Sequence, residues 1–301
     1  MLDVKRLRVL LHVVEEGSVT AAADALMYTP SAISQQLLRL EREVGQPLLE
    51  RHARGMVPTE AGHVLAGHAR KVLRQLAAAE ADLEEIAGVR RGHLNLGAFP
   101  TIGSSFLPLA VQEFRKRYPA IQLTIYSGRE DDLIRMLEEG QVGLSLLWDY
   151  EWSRIDPTHL GLATLFVDPT ILVVASDHRL ARRRNVTMSA LADEEWIIRS
   201  EGHPVVEVLR RSALAAGFEP RISFQANDYQ EAQAMVSVGL GVALVPRTAV
   251  VNKHPDVRVV SLGNSAPARR ILAAYRPDRA RTAAEIAFHE VLTEIAATYK
   301  P

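Results

Sequence analysis

The sequence predicts an N-terminal winged helix-turn-helix, a long helix after it, and a C-terminal α/β domain. Three observations support this order of parts. Three short segments with helical apolar spacing fill the region up to Gly45, helix formers without proline run from Thr59 to about Gly88, and strand and helix patterns alternate from His93 onward. The chain has 301 residues, which is enough for two or three domains with cores of their own.

The composition excludes several classes of protein. The chain has no cysteine, so we expect no disulfide framework, no cysteine-ligated metal site and no cysteine nucleophile. No stretch approaches the ~20 apolar residues of a membrane span, and the first residues lack the basic-then-apolar order of a signal peptide. These features predict a soluble cytoplasmic protein with no membrane partner. Residues 1–58 carry seven basic and seven acidic side chains, so binding of nucleic acid would depend on where the charges lie.

The helices of the N-terminal region are predicted from apolar spacing and from the residues at their ends. The first helix spans Val4–Glu16, the second about Thr20–Leu26 and the third about Pro30–Val44. Before the third helix, Thr29 is a good N-cap and Pro30 fits the first helical position.

The third helix has one apolar stripe, and short polar side chains lie off it. Ser31, Ser34 and Gln35 lie near its N-terminal end, and Arg39 flanks them. Such side chains suit hydrogen bonds to base edges in the major groove of DNA. An ordinary amphipathic surface helix explains the same pattern equally well, so both interpretations stay open here.

The next stretch, from Pro47 to Pro58, predicts a tight hairpin. Arg51 and Arg54 lie at its flank and tip, where they could reach phosphates or the minor groove. A solvated turn is the alternative. A hairpin directly after a helix-turn-helix favours the winged variant.

The long helix carries an apolar seam with alternating steps of four and three residues. Such a heptad pattern suits pairing with a second copy of the helix. The alternative is a helix packed on its own domain, and the polar remainder of the helix favours an exposed dimer seam. The seam residues on which this prediction depends are Leu65, Val72, Leu76 and Leu83.

The α/β region predicts a ligand site, because open α/β sheets bind ligands at the carboxyl ends of their strands. Thr101 follows the first strand and leads into a helix predicted near Ser104–Arg117, and both hydroxyls would lie near a helix N-terminus, which favours anions. Arg129 follows another strand and could complete a carboxylate or sulfate site. The alternative is that Thr101 only caps the helix and Arg129 is solvated. We expect a small, anionic ligand. The sequence contains none of the common catalytic motifs, so we expect neither an enzyme nor a metal site.

The order of these parts resembles the LysR-type transcriptional regulators over essentially the whole chain. The resemblance is most specific in Ser18–Ala23, Thr29–Leu37, Leu40-Glu41, Gly45–Arg51 and Pro58–Gly62, and continues in Gly92–Gly97, Leu107-Pro108 to Tyr118-Pro119, and Gly239–Pro246. It implies a winged helix-turn-helix in residues 1–58, a linker and dimerisation helix in 59–91 and an effector-binding domain in 92–301. That domain would have two subdomains like those of periplasmic solute-binding proteins, subdomain I in about 92–162 and 266–301 and subdomain II in about 163–265.

The resemblance also implies partners and site residues. The partners would be double-stranded DNA at an interrupted palindrome, a small-molecule co-inducer, further copies of the chain in a dimer or tetramer, and RNA polymerase; no other cofactor is expected. Pro30, Ser31, Ser34 and Gln35 would face base edges, and Thr29, Arg51 and Arg54 would hold phosphates. In the effector site, the resemblance implies Thr101, Ser127, Trp148 and Ser200, which join Ser104 and Arg129 expected from the residues themselves.

Two departures from the family pattern stand out. Many relatives have arginine at the position of Gln35, so the bases read would differ, and many have aspartate at the position of Gly143.

A free solute-binding protein, or an enzyme on the same fold, is the alternative interpretation. It explains residues 92–301 but leaves residues 1–91 without a role.

Overall fold

The computed structural model describes residues 2–52, 55–86, 92–200, 203–263 and 266–301. The chain divides into two compact units. The N-terminal unit comprises Met1–His93 and Arg135–Val142, and the C-terminal unit comprises Leu94–Ile134 and Gly143–Pro301.

The N-terminal region is a three-helix head with a hairpin and a long helix. Thr29 caps the third helix as predicted, and Asp3 and Ser18, which were not predicted as caps, likewise accept a backbone N–H with their side chains. The first and third helices end at glycines in the left-handed conformation. The elements are α1 (Val4–Glu16), α2 (Val19–Leu26), α3 (Pro30–Val44), β1 (Leu49–His52), β2 (Gly55–Pro58) and α4 (Glu60–Ile86).

The head has a single apolar core to which every one of its helices contributes. Leu10 of α1 and both Ile33 and Leu40 of α3 are completely buried. Burial of this stripe leaves the opposite side of α3 in solvent. The first turns of α4 close the same core, because Ala69 is buried in it and Leu65 packs against it.

The hairpin is fixed to the head by a close backbone approach. Gly55 has φ +130°, and a Cβ atom there would lie 2.4 Å from the carbonyl oxygen of Gly17. The next residue, Met56, donates its N–H to that oxygen at 2.8 Å. Only glycine allows this approach, so the sequence holds the wing against the end of α1.

The C-terminal region alternates strands and helices, with two short 3-10 turns at Met188–Leu191 and Arg247–Val250. Its elements are β3 (Gly92–Ala98), α5 (Pro100–Gly103), α6 (Leu107–Arg117), β4 (Ile121–Ser127), α7 (Glu130–Glu138), β5 (Leu144–Asp149), β6 (Gly161–Ala175), β7 (Glu195–Arg199), α8 (Pro204–Ala215), β8 (Arg221–Ala226), α9 (Tyr229–Ser237), β9 (Ala243–Pro246), β10 (Val257–Val260), β11 (Ala268–Tyr275) and α10 (Ala283–Thr298).

One long strand, β6, joins the two halves of this region. Its first half pairs with β11, in the sheet that continues through β5, β3 and β4. Its second half, from Thr170, pairs with β9 and β10, and the parallel pair β7 and β8 follows through a bridge between Trp196 and Val242. We call these halves subdomain I and subdomain II. The boundaries expected from sequence stay predictions, since β6 spans one of them and residues 87–91 lie outside the described residues.

The helix predicted near Ser104–Arg117 is wrong at its start. The structure has the single turn α5 and a separate helix α6, with Ser104 as the C-terminal cap of α5. A continuous helix would place Pro108 in its interior, where the missing N–H and the ring are unfavourable. Starting α6 at Leu107 puts Pro108 in the first turn, where proline is tolerated.

The packing of the start of β5 against α10 explains why glycine stands at position 143. A Cβ atom at this position would lie 1.7 Å from Oε1 of Glu285. Glu285 is buried, accepts a hydrogen bond from Arg279 at 2.6 Å and completes a capping box with Thr282 at the start of α10. The space that a side chain at 143 would need is therefore occupied by this ion pair.

Candidate functional sites

The exposed end of α3 carries the side chains predicted to read bases. Ser34 donates its hydroxyl to the carbonyl of Pro30 at 2.9 Å, and Thr29 accepts the N–H of Ala32 at 3.2 Å. Gln35 makes no hydrogen bond to any residue that the structure describes. The structure leaves the whole predicted set on α3 exposed to solvent, comprising Thr29, Pro30, Ser31, Ser34, Gln35 and Arg39.

The basic side chains around this surface are not neutralised. Glu43 forms an ion pair with Arg6, and Glu15 forms one with Arg70. These two acids are therefore not available to pair with the arginines of α3 and β1. Among the described residues, Arg39 and Arg42 on α3 and Arg51 on β1 have no ion-pair partner and are exposed. Arg54 lies outside the described residues, so its predicted phosphate contact stays a prediction. Unpaired arginines beside a helix end are suited to DNA phosphates.

The effector region is built around a buried arginine that the sequence analysis missed. Arg269 of β11 donates from Nε to Asp168 of β6 at 3.0 Å, and from Nη2 to the hydroxyls of Thr101 and Thr248 at 2.9 Å each. Thr248 in turn donates its hydroxyl to Asp168 at 2.7 Å. We call these four residues the Arg269 cluster. Because Thr101 belongs to subdomain I and Thr248 follows β9 of subdomain II, the cluster links the two subdomains.

Aromatic rings enclose the cluster on the side of subdomain I. The guanidinium carbon of Arg269 lies 5.0 Å from the ring centre of Phe99 and 5.5 Å from that of Trp148. Trp148 is 8% exposed, and its ring also lies 6.2 Å from that of His203 in a stacked orientation. Cation–π contacts of this kind hold a guanidinium in place where water is excluded.

His203 is neutral in this site. Its burial lowers the pKa of the imidazole to about 3, and the positive charges of Arg199, Arg269 and Arg129 act in the same direction. Nδ1 accepts the N–H of Val205 at 3.2 Å at the start of α8, so the ring hydrogen is on Nε2. His203 thus contributes a hydrogen-bond donor without a charge, within the electrostatic influence of three guanidinium groups.

Two carboxyl groups lie beside this region in subdomain I. Burial alone would raise the pKa of the Asp149 carboxyl. Hydrogen bonds from Arg270 and Arg154 instead hold this pKa below its ordinary value. Burial raises the pKa of Glu130 from 4.5 to about 7, and the charges of Asp131 and Asp149 add to this shift.

Glu130 therefore predicts a pH-dependent stability. Because the pKa of Glu130 is raised in the folded state, its contribution to the free energy of unfolding is complete below the ordinary pKa and is lost as the pH rises through about 7. The stability of Glu130→Gln relative to that of the wild type should therefore rise between pH 4 and pH 8, by about 1 kcal/mol once solvent screening is allowed for. Thermal unfolding at the two pH values measures this. The exposed Glu219→Gln is the control, and parallel pH profiles of wild type and Glu130→Gln would refute the prediction.

The structure brings together only part of the predicted effector set. Thr101 and Trp148 both contact Arg269, and Arg129 acts electrostatically on His203. Ser104 instead donates its hydroxyl to the carbonyl of Thr101. Within the described residues, the side chains of Ser127 and Ser200 form no hydrogen bond to this group, and their roles stay predictions. The helix that starts next to Thr101 is the four-residue turn α5, with Phe99 as its N-terminal cap, and its role in binding an anion stays a prediction.

Sequence reasoning missed six residues of this region, although two of them are charged residues within largely apolar strand patterns and could have been noticed. Asp168 stands alone within the apolar strand β6, and Arg269 lies at a buried position of β11, where a charge requires a partner. The missed residues are Asp168, Arg199, His203, Tyr229, Thr248 and Arg269.

Comparisons with known proteins place both regions in one family. Residues 4–63 match the model described as bacterial regulatory helix-turn-helix protein, lysR family, and residues 87–297 match the model described as LysR substrate binding domain. Within the part of the chain that the structure describes, no helix could cross a membrane and no cluster of side chains could hold a metal ion.

Individual relatives cover almost the whole chain. The RuBisCO operon transcriptional regulator of Allochromatium vinosum is 29% identical over 299 residues, covering 98% of this chain and 97% of the relative. The hydrogen peroxide-inducible genes activator of Pectobacterium carotovorum is 26% identical over 279 residues, covering 92% and 91%. The solved structure of a full-length OxyR variant from Pseudomonas aeruginosa has a TM-score of 0.74 at 21% identity and covers 99% and 95%, which supports the fold.

Proposed function

The chain belongs to the LysR family of bacterial DNA-binding transcriptional regulators, and we propose that a small anionic metabolite bound between its two α/β subdomains controls it. The Arg269 cluster carries this proposal. It joins both subdomains, and the positive charges of Arg199 and Arg129 act on the nearby His203 together with that of Arg269. Cations with few counter-charges in a site closed by aromatic rings favour an anionic ligand.

Thr101 would contact this ligand directly. Its oxygen accepts a hydrogen bond from Arg269, so its hydroxyl hydrogen is free to be donated to a carboxylate or sulfonate. Thr101→Val should keep the DNA affinity of the ligand-free protein and lose the response to the ligand. Calorimetry and DNA titration with a panel of organic carboxylates, sulfonates and phosphate esters, on wild type and Thr101→Val, test this. Equal ligand affinity in both proteins would exclude a direct role for Thr101.

The effector acts without thiol chemistry in this proposal. One relative is named for hydrogen peroxide, and peroxide chemistry on regulators commonly uses a reactive cysteine. This chain has no cysteine. Its charged and aromatic site favours a ligand that binds without a covalent bond.

On DNA, we expect the exposed end of α3 to enter the major groove and the wing to hold the backbone. The sites would be interrupted palindromes, bound by a dimer or tetramer in the cytoplasm, with RNA polymerase as a further partner. The observation that supports this mode is the solvent-exposed polar surface of α3, flanked by arginines without ion-pair partners among the described residues.

The dimer seam on α4 begins after the turns that close the head. Leu65 packs against the core of its own chain, whereas Val72 and Leu76 are 41% and 43% exposed. The side chain of Leu83 lies outside the described residues. Two large apolar side chains on one exposed helix face favour pairing with a second copy.

Leu76→Arg should therefore dissociate the assembly, because it buries an unpaired charge between two helices. We expect a monomer in sedimentation and a large loss of operator affinity, since only one half-site is then bound. Gln75→Arg, an exposed neighbour on the same helix, is the matched control and should behave as wild type. A Leu76→Arg protein that sediments as a stable dimer would place the seam elsewhere.

A further inference from the structure

We propose that the effector is a dicarboxylate, with one carboxylate bound by Arg199 of subdomain II and the other by Arg129 of subdomain I. The inference rests on the proposed function, which requires an anion between the subdomains, and it adds the number and placement of the charges.

Arg199 ends β7 and has no counter-charge among the residues that the structure describes. Its guanidinium carbon lies 5.1 Å from the ring centre of Tyr229, and Tyr229 is buried. The Nε atom of Arg199 is itself buried and donates no hydrogen bond. A buried donor without an acceptor is unfavourable, and a carboxylate supplies two acceptors in the planar geometry that a guanidinium prefers.

Arg129 is the second arginine without a counter-charge. It follows Gly128, whose N–H donates to the carbonyl of Ala98 at 3.2 Å, and this contact places Arg129 beside the strand end that leads to Phe99. The side chain is exposed and forms no ion pair within the described part of the chain. Its neighbour Glu130 is a weak counter-charge near neutral pH, because the pKa of that carboxyl is raised to about 7.

The other arginines of this region already form ion pairs, although Arg270 and Arg154 share the single carboxylate of Asp149. Arg269 pairs with Asp168 at 3.0 Å, and Arg270 pairs with Asp149 through two hydrogen bonds of 2.9 and 2.7 Å. Arg199 and Arg129, one from each subdomain, are therefore the two arginines here that form no ion pair with a described residue. Both act on His203, whose ring lies between Trp148 and Tyr229 and whose Nε2–H is free to donate.

This arrangement discriminates between classes of anion. A monocarboxylate can pair with only one of the two arginines, so the other gains no charge-assisted hydrogen bond from it. A phosphate monoester concentrates its charge on one group, whereas the proposal places the two arginines at opposite ends of the ligand. A dicarboxylate pairs with both, and in doing so it connects the subdomains.

The test compares matched ligands on the full-length protein. The probes are dicarboxylates of three to eight carbons, straight, unsaturated and aromatic, each with the monocarboxylate of the same skeleton, such as phthalate with benzoate and succinate with butyrate, together with glycerol phosphate and phenyl phosphate. Calorimetry should find at least one dicarboxylate that binds about tenfold or more tightly than its monocarboxylate, as one charge-assisted pair implies. Tightest binding of a monocarboxylate or a phosphate ester, or no binding by any dicarboxylate, would overturn the inference.

Single substitutions show whether these two arginines are responsible. In Arg199→Gln and in Arg129→Gln, the preference for the dicarboxylate over its monocarboxylate should fall to less than about threefold, because each variant keeps one cation. Arg183→Gln, an exposed arginine of subdomain II, should keep the full preference. A preference that survives in both cleft variants would also refute the assignment. If monoanions bind and alter DNA affinity, the proposed function stands and only this inference fails; if no anion alters DNA affinity, the proposed function fails.

Discussion

Arg269→Met should lower the free energy of unfolding of the C-terminal unit by about 3–5 kcal/mol, because it leaves the carboxylate of Asp168 buried without its cation. Asp168 is 0% and Arg269 3% exposed, so water cannot replace the lost partner. Thr101 and Thr248 lose a donor as well. Urea unfolding followed by tryptophan fluorescence measures this, since all three tryptophans lie in the C-terminal unit.

A second variant separates charge burial from loss of packing. Arg269→Met combined with Asp168→Leu removes both charges and should recover most of the stability, since apolar replacement of a buried pair is often neutral. Arg183→Met, at an exposed arginine, should unfold as the wild type does. A loss below about 1 kcal/mol in Arg269→Met would mean that the cluster contributes little to the fold.

The double variant Ser34→Ala and Gln35→Ala should relax the DNA sequence preference without changing the fold. Both side chains are exposed on α3 and contribute nothing to the core beneath it. Each base contact that is lost should reduce discrimination by about 1–3 kcal/mol. Titration of the full-length protein with its preferred duplex and with a scrambled duplex gives the ratio of affinities.

Arg51→Ala is the matched comparison for this double variant. It removes an exposed cation of the wing, so it should weaken both duplexes equally and reduce the salt slope by about one. Thermal unfolding of both variants should match the wild type. An unchanged ratio of preferred to scrambled affinity in the Ser34 and Gln35 variant would remove these residues from the reading of bases.

The head could be predicted from sequence because its signals are local. The apolar stripe of α3, its threonine cap and Pro30 lie within 16 residues of chain, and the structure has this helix at the predicted bounds. Spacing and end residues act through contacts between near neighbours. The exposed polar surface follows directly from burial of the stripe.

The effector site could be predicted only in part, because its contacts join distant parts of the chain. Arg269 reaches Asp168 across 101 residues and Thr101 across 168. No periodicity relates these positions; they meet because β11 pairs with β6, with Arg269 directly opposite Asp168. The sequence therefore indicated Thr101 and Arg129 but not the buried arginine between the subdomains.

We expect one chain to read DNA through its N-terminal helices and to respond to an anion bound in its C-terminal domain. The most direct test enriches duplexes from a random pool with the full-length protein, and then measures affinity for the enriched duplex with and without the tightest-binding dicarboxylate. We expect a pair of separated half-sites to be enriched and its affinity to change by about fivefold or more when the anion binds. Absence of any enriched sequence, or an affinity that is unchanged under saturation by an anion bound in calorimetry, would contradict the claim.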